Sequence, residues 1–231
     1  MAKTSKTAAG RSMKRSREDY MSNMFDGSGT KKVRKVVQSE IRKREIRTTE
    51  LKEYTDSFGG TLFPSLTGSV ISVTDAIAQG EDMFERNGRY IYMKMIRIKF
   101  SVAAGVTNWA DCGRFYLVYD KQPNAGTSAF SDIFQTASGA TAGSAFKNTL
   151  VNGDRYVIVR EVKWDCSYNG DQYKNYDIFY KVPDKLAHTV YPGSSTTEAQ
   201  TGAWLICYGA DRNTTTSTQM IANVKLQFTD K

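Results

Sequence analysis

Residues 48–231 are predicted to form an all-β domain, an antiparallel sandwich of two sheets, on three observations. Apolar residues recur at every second position in several segments, which buries one face of a strand and leaves the other wet. Other runs are apolar throughout and rich in β-branched and aromatic residues, the composition of a pleated surface covered on both sides. Turn-forming pairs and triplets separate the runs.

The elements follow in order. The period-two pattern starts at residue 48, which places the first two strands near 47–56 and 67–74. Asn87-Gly88 turns the chain into a third strand near 89–103, where Ile96, Ile98, Phe100 and Val102 alternate with Arg97, Lys99 and Ser101. The fourth, near 113–121, contains the apolar run Phe115 to Tyr119 and stops at Gln122-Pro123-Asn124. A helical turn is expected at Asp132 to Gln135. Asn152-Gly153-Asp154 opens a fifth strand near 153–168, with Tyr156 to Val159 apolar on both faces. Asn169-Gly170-Asp171 leads to a sixth near 174–182, where Ile178 to Tyr180 also reads as covered on both faces. Pro192-Gly193 precedes a seventh near 202–211, which carries Trp204 to Tyr208. In the eighth, near 219–229, Met220, Ala222, Val224, Leu226 and Phe228 alternate with Ile221, Asn223, Lys225 and Gln227. Eight antiparallel strands with several loops of more than ten residues favour a single jelly roll over an up-and-down barrel, whose connections are shorter.

Charge divides the chain differently from its length. A chain of 231 residues suits one large β domain or two small ones. Residues 1–47 hold 14 Lys/Arg against 5 Asp/Glu, a net +9; residues 48–231 hold the remaining 18 basic and 19 acidic residues, a net −1. The first part is therefore a cationic arm and the second a near-neutral body. Before Lys31 the arm is rich in Ser, Thr, Ala and Gly and is expected to be disordered when free. From Lys31 to Arg47, Val33, Val36, Val37 and Ile41 fall at roughly helical spacing and Glu40 can pair with Arg44, which predicts a short, marginal basic helix.

Solubility alone is the plain reading of a basic tail. Nine net charges confined to one end instead point to a polyphosphate partner, bound without sequence preference and with steep salt dependence. The residues expected to touch nucleic acid are Lys14, Arg15, Arg17, Lys31, Lys32, Arg34, Lys35, Arg42, Lys43 and Arg44. Lys14-Arg15-Ser16-Arg17 and Lys31-Lys32-Val33-Arg34-Lys35 also fit short nuclear-import signals.

Several function classes are excluded or weakened. The chain has no 18-residue apolar run, and no stretch fit to be a secretory signal is expected. Cys112, Cys166 and Cys207 are odd in number and far apart, so they read as reduced core thiols rather than a disulfide framework or a zinc site. One histidine, His188, cannot make a multi-histidine metal site and reads as a solvated loop residue before Tyr191-Pro192-Gly193. GxGxxG, GxxxxGK[ST] and GxSxG are missing, and Gly27-Ser28-Gly29-Thr30-Lys31 lacks the spacing of a phosphate loop. Asp165, Asp171 and Asp177 are spaced by six, unlike a calcium loop, although acidic loops meeting at a subunit junction remain a weaker route to a calcium ion. Asn213-Thr214-Thr215 is a glycosylation sequon that goes unused without secretion. No catalytic residue and no cofactor is expected.

The aromatics admit two readings. Tyr90, Tyr92, Tyr116, Tyr119, Tyr156, Trp164, Tyr168 and Trp204 read as core or subunit interface rather than as a base-stacking platform. Trp109 and Tyr173 read as exposed contacts, for a protein neighbour before a base.

A resemblance then emerges from ordered motifs. Ala76-Ile77-Ala78-Gln79-Gly80, followed by Arg86-Asn87-Gly88-Arg89 and the strand from Met93 to Phe100, resembles the "IAQG … R-x-G" pattern of capsid proteins of circular, Rep-encoding single-stranded DNA viruses. Phe115-Tyr116-Leu117-Val118-Tyr119-Asp120-Lys121-Gln122-Pro123-Asn124 is similar to the group's "VYD-[KR]-QPN" signature, with Phe130-Ser131-Asp132-Ile133-Phe134 after it. Asn152-Gly153-Asp154-Arg155-Tyr156 resembles its "N-x-x-R-[FY]" strand, and Gly202-Ala203-Trp204-Leu205-Ile206-Cys207 its closing strand. The arm departs from the usual denser arginine pattern by carrying Glu18, Asp19 and Asp26.

The resemblance implies a jelly-roll coat, related in fold to satellite-virus and geminivirus coats, that closes an icosahedral shell of about 60 copies around circular single-stranded DNA. It implies residence in the virion, and in the host nucleus during assembly through an import receptor. Inward-pointing arms would then bring about 540 positive charges to the interior. Three alternatives stay open: a satellite-type coat around single-stranded RNA, a cellular nucleic-acid-binding β module with a basic tail, and a jelly-roll enzyme, the last disfavoured by the missing motifs.

Overall fold

The computed structural model describes residues 35–40, 50–58, 66–104, 111–135, 141–142, 144–149, 152–167, 169–193, 197–211 and 218–230. The chain divides into two units, Met1–Thr49 and Glu50–Lys231. In the first, the described residues 35–40 are helical and exposed.

The second unit contains nine described strands: β1 (Leu51–Ser57), β2 (Ser69–Ser72), β3 (Tyr90–Ala103), β4 (Asp111–Asp120), β5 (Tyr156–Cys166), β6 (Tyr173–Lys181), β7 (His188–Val190), β8 (Ala203–Ala210) and β9 (Gln219–Asp230). Their antiparallel pairs are nested: β4 with β5, β3 with β6, β2 with β8 and β1 with β9. The chain is thus one long hairpin, rolled until β9 also pairs with β3 and β8 with β4. One sheet runs β1-β9-β3-β6 with β7 on β3, and the other runs β2-β8-β4-β5. That wrapping of a long hairpin into two facing sheets is the jelly roll.

Alternation decides the first sheet. Ile96, Ile98, Phe100 and Val102 of β3 lie opposite Leu226, Val224, Ala222 and Met220 of β9, and all eight are buried. Phe100 stacks on Phe115 of the opposing sheet at 4.4 Å and on Tyr176 at 4.7 Å, which joins the layers through aromatic contacts. A bulge at Lys94 separates the part of β3 that pairs with β7 from the part that pairs with β6.

The two inner strands of the second sheet, β8 and β4, are covered on both faces, as their continuous apolar runs require. Every residue of β8 is buried, and so is Phe115 to Asp120 of β4. The cover on the far side is the chain after β4. Phe130, Ile133, Phe134, Ala142 and Ala145 are buried there, and Phe134 lies 4.4 Å from the Tyr116 ring. The helical turn is Phe130–Ile133, two residues earlier than expected, because the Asp132 carboxylate accepts the Ala129 N–H and fixes the start.

Three expectations need correction. His188 does not sit in a loop: it opens β7, a strand too short to show a period, and its ring lies 5.7 Å from Tyr90 and 5.5 Å from Tyr92. The segment Ile178 to Tyr180 is not covered on both faces, since Phe179 is 60% exposed on the outer face of an edge strand. Tyr156 to Val159 is covered less fully than expected: Tyr156 is buried, while Val157, Ile158 and Val159 are half-buried and pack against the core.

Candidate nucleic-acid interface

Of the ten cationic residues expected to touch nucleic acid, Lys35 lies among the described residues; it is exposed, on the helical residues 35–40. Lys14, Arg15, Arg17, Lys31, Lys32, Arg34, Arg42, Lys43 and Arg44 lie outside them, as do both proposed import clusters except for Lys35. Val36 and Val37 on the same helical stretch are 61% and 50% exposed, so its apolar residues are not spent on a core. The Gly27 to Lys31 stretch, Trp109, Tyr168 and the Asn213-Thr214-Thr215 sequon also lie outside the described residues.

The body begins where the arm ends, and its first strand is anchored by a buried cation. Lys52 on β1 is 1% exposed. Its Nζ donates to the carbonyl of Glu85 at 2.7 Å and to Asn87 Oδ1 at 2.6 Å, and faces the Asp230 carboxylate at 3.1 Å. Asp230 also accepts the Asn87 N–H at 3.0 Å. One lysine therefore ties the first strand, the last strand and the intervening loop together. Nothing in the alternation of 47–56 distinguishes Lys52 from a surface lysine, and sequence reasoning missed it.

A second buried cation follows in the same loop. Arg86 is fully enclosed, with its guanidinium 4.0 Å from the centre of the Tyr191 ring. It donates to the carbonyls of Gly88 and Gly193 and to Gln79 Oε1. Burial lowers its pKa from the free value and raises that of Tyr191. Arg86 of the motif is thus held inside the protein, with Gln79 bonding to it from the surface.

The Phe115 to Asn124 motif also meets the Asn152 to Tyr156 motif. Asp120, fully buried at the end of β4, receives Arg155 through two bonds of 2.8 and 2.7 Å. Ser128 donates to the same carboxylate at 2.9 Å, and Tyr156 donates to Ser128. The hydrogen bond to Asp120 raises the pKa of Arg155 above its usual value. These groups satisfy one another, so Asp120 and Arg155 act as an internal latch between the two motifs.

Asp111, Cys112, Asp165, Cys166 and Asp171 line one cavity together with Lys174. Lys174 sits between Asp165 at 2.8 Å and Asp171 at 3.4 Å, while Asp177 is bound by Arg97. The three spaced aspartates therefore serve two different cations of the protein itself. No group of three or more metal-ligating side chains occurs among the described residues. Cys166 and Cys207 are buried, with the Cys166 thiol pushed up to about 11 by desolvation; Cys112 is exposed, which corrects its assignment as a core thiol. Tyr116, Tyr119, Tyr156, Trp164 and Trp204 are buried, so they offer no platform to bases. Tyr173 is 73% exposed.

Cations do gather on one surface of the body. The solvent face of the β1-β9-β3-β6 sheet carries Lys225, Arg97, Lys99 and Lys181 against Glu53 and Asp177. Lys225 pairs with Glu53, and Arg97 with Asp177 through two bonds.

Comparison with known proteins places this geometry in context. A family model described as satellite tobacco necrosis virus coat protein matches residues 22–231. No curated protein matches the chain significantly by sequence. Among solved structures, that of desmodium yellow mottle tymovirus is 10% identical, with a TM-score of 0.34 over 79% of this chain and 88% of its own. The Triatoma virus empty capsid is 14% identical, with a TM-score of 0.28 over 78% and 84%. The 60-mer BFDV capsid protein is 10% identical, with a TM-score of 0.33 over 78% and 92%. The fold assignment rests on the nested strand pairs and not on these overlaps.

Proposed function

We propose a packaging mechanism for this chain, which belongs to the satellite tobacco necrosis virus coat protein family: its body tiles a closed icosahedral shell and its arm holds the enclosed genome. The role is structural, with no catalytic step. The division of charge carries the reading, with net +9 on residues 1–47 and net −1 on residues 48–231. A near-neutral body lets copies approach without strong mutual repulsion. A cationic arm displaces counterions from phosphate and so binds single strands of any sequence.

The cargo we favour is circular single-stranded DNA, in a shell of about 60 copies, supported by the likeness of Phe115 to Asn124 to the corresponding DNA-virus signature. Single-stranded RNA is the second reading, supported by a family description that names a satellite virus. Import into the host nucleus, through Lys14-Arg15-Ser16-Arg17 or Lys31 to Lys35, belongs to the first reading.

Expression of the full chain tests all of this. Particles are expected by negative-stain microscopy, and the nucleic acid released from them should yield to DNase under the first reading and to RNase under the second. Deleting residues 1–47 should leave a folded body and sharply lower co-purified nucleic acid. A monomer at all concentrations, or unchanged nucleic-acid content after the deletion, overturns the proposal.

A further inference from the structure

The solvent face of the five-stranded sheet has a composition that neither the core nor the arm explains. Across it, Lys225, Arg97 and Phe179 lie in one row of cross-strand neighbours, and Lys99 and Asp177 are opposed in the next. Two of the four cations are committed to Glu53 and Asp177. Lys99 and Lys181 form no salt bridge among the described residues, and both are exposed. Phe179 is 60% exposed between them in sequence register and is the cross-strand partner of Arg97, whose guanidinium Asp177 holds through two bonds of 3.0 and 2.6 Å.

We propose that this face is a second contact surface for single-stranded nucleic acid, with Lys99 and Lys181 on phosphates and Phe179 stacked on a base. The inference rests on the packaging reading and extends it to the body. Charge complementarity selects the occupant: the face carries net +2, whereas residues 48–231 as a whole carry net −1. A contact with a second copy would be expected to have few charges at its centre, and here the three successive rows through Met95, Arg97 and Lys99 each hold a cation. Unpaired bases offer flat faces to an exposed ring, while a duplex hides them, so the surface selects single strands.

The test titrates the full chain against fluorescein-labelled oligo(dT) over a series of NaCl concentrations. Lys99→Gln with Lys181→Gln should reduce the slope of log affinity against log salt by about 1.4, two phosphate contacts on a single strand. Phe179→Ala should weaken oligo(dT) binding about fivefold or more, with no change of slope and little effect on a duplex of equal length. Phe179→Leu keeps the apolar bulk while removing the ring; it should show the same loss with an unchanged urea midpoint, which separates stacking from folding.

Wild-type binding by all three face variants, with loss of affinity in Lys14→Gln, Arg15→Gln, Arg17→Gln, overturns the face and leaves the arm reading intact. Loss in the face variants with no effect of the arm variant supports the face and removes the arm. Blocked particle formation by Phe179→Ala with unaltered oligo(dT) binding makes the surface a contact between copies, and also overturns the proposal.

Discussion

Lys52 and Arg86 are enclosed because backbone carbonyls and a ring replace the water they lose, and the consequences differ for the two. Lys52 has a charged partner in Asp230, so Lys52→Met leaves a carboxylate that is 16% exposed without its cation. Such a loss costs about 3–5 kcal/mol when it breaks a buried pair. It should appear as a lower urea midpoint, with Asp230→Asn in the same chain restoring part of it; an unchanged midpoint for Lys52→Met would show that the pair adds nothing. Asp75 is a second residue with a stated cost. It accepts the Ala199 N–H at 3.1 Å, yet desolvation raises its pKa above the ordinary carboxylate value, with Glu198 adding to the rise. Because the folded value is the higher one, the native chain keeps the proton longer. The stability this confers is complete below the unfolded value, near 3.8, and is lost as pH rises through the folded value. Asp75→Asn should remove that decline, so its urea midpoint should fall less than the wild-type midpoint as pH rises from 4 towards 7. Parallel curves for the two chains would refute the assignment.

At the level of elements, a strand was legible where its own residues carried the signal and illegible where a neighbour supplied it. β9, and β3 after its bulge, alternate and were placed within a residue or two of their observed ends, and the two-face burial of β4 and β8 was visible in their continuous apolar runs. β7 was not visible: three residues, His188 to Val190, show no period and form a strand only because β3 extends beyond its bulge to receive them. Phe179 was read as covered because its neighbours Ile178 and Tyr180 are apolar, but alternation at a sheet edge turns it outward. The latches were half legible: Asp120 and Arg155 stood out as motif residues, while their meeting across 35 positions was not deducible from spacing. Gly202 shows what a motif position does for an element. Its φ of +72° is one that L side chains rarely adopt, and an added Cβ would fall 2.0 Å from the His188 carbonyl oxygen. That carbonyl lies at the start of β7, and Thr189 in the same strand donates to the Gly202 carbonyl at 2.6 Å. Gly202→Ala therefore combines backbone strain with a clash against a strand that has no slack, and is expected to destabilise by more than about 1 kcal/mol. A thermal midpoint equal to that of the wild type would remove the claim.

For the whole molecule, the decisive quantity is where the +8 net charge sits. Spread over the surface it would only aid solubility; confined as +9 to residues 1–47, it would, under the proposed packaging role, make closure of the shell and neutralisation of the cargo one event. Arms drawn together inside a closed shell repel one another over distances within the Debye length, about 10 Å at 0.1 M salt. Bodies at net −1 carry no comparable penalty. Assembly of the full chain should therefore depend on a polyanion at low salt and become independent of it as salt rises, while a chain lacking residues 1–47 should assemble without one at either. Light scattering on nuclease-treated subunits, with and without added oligo(dT), reads this directly. Full chains that close into empty particles at low salt as readily as truncated ones would mean that the arms do not share the interior, and that the charge division has another purpose. The same experiment separates the two cationic surfaces. Polyanion dependence should disappear with the arm, whereas the sheet face, at net +2 and with two of its four cations already paired, is too weakly charged to hold a shell open.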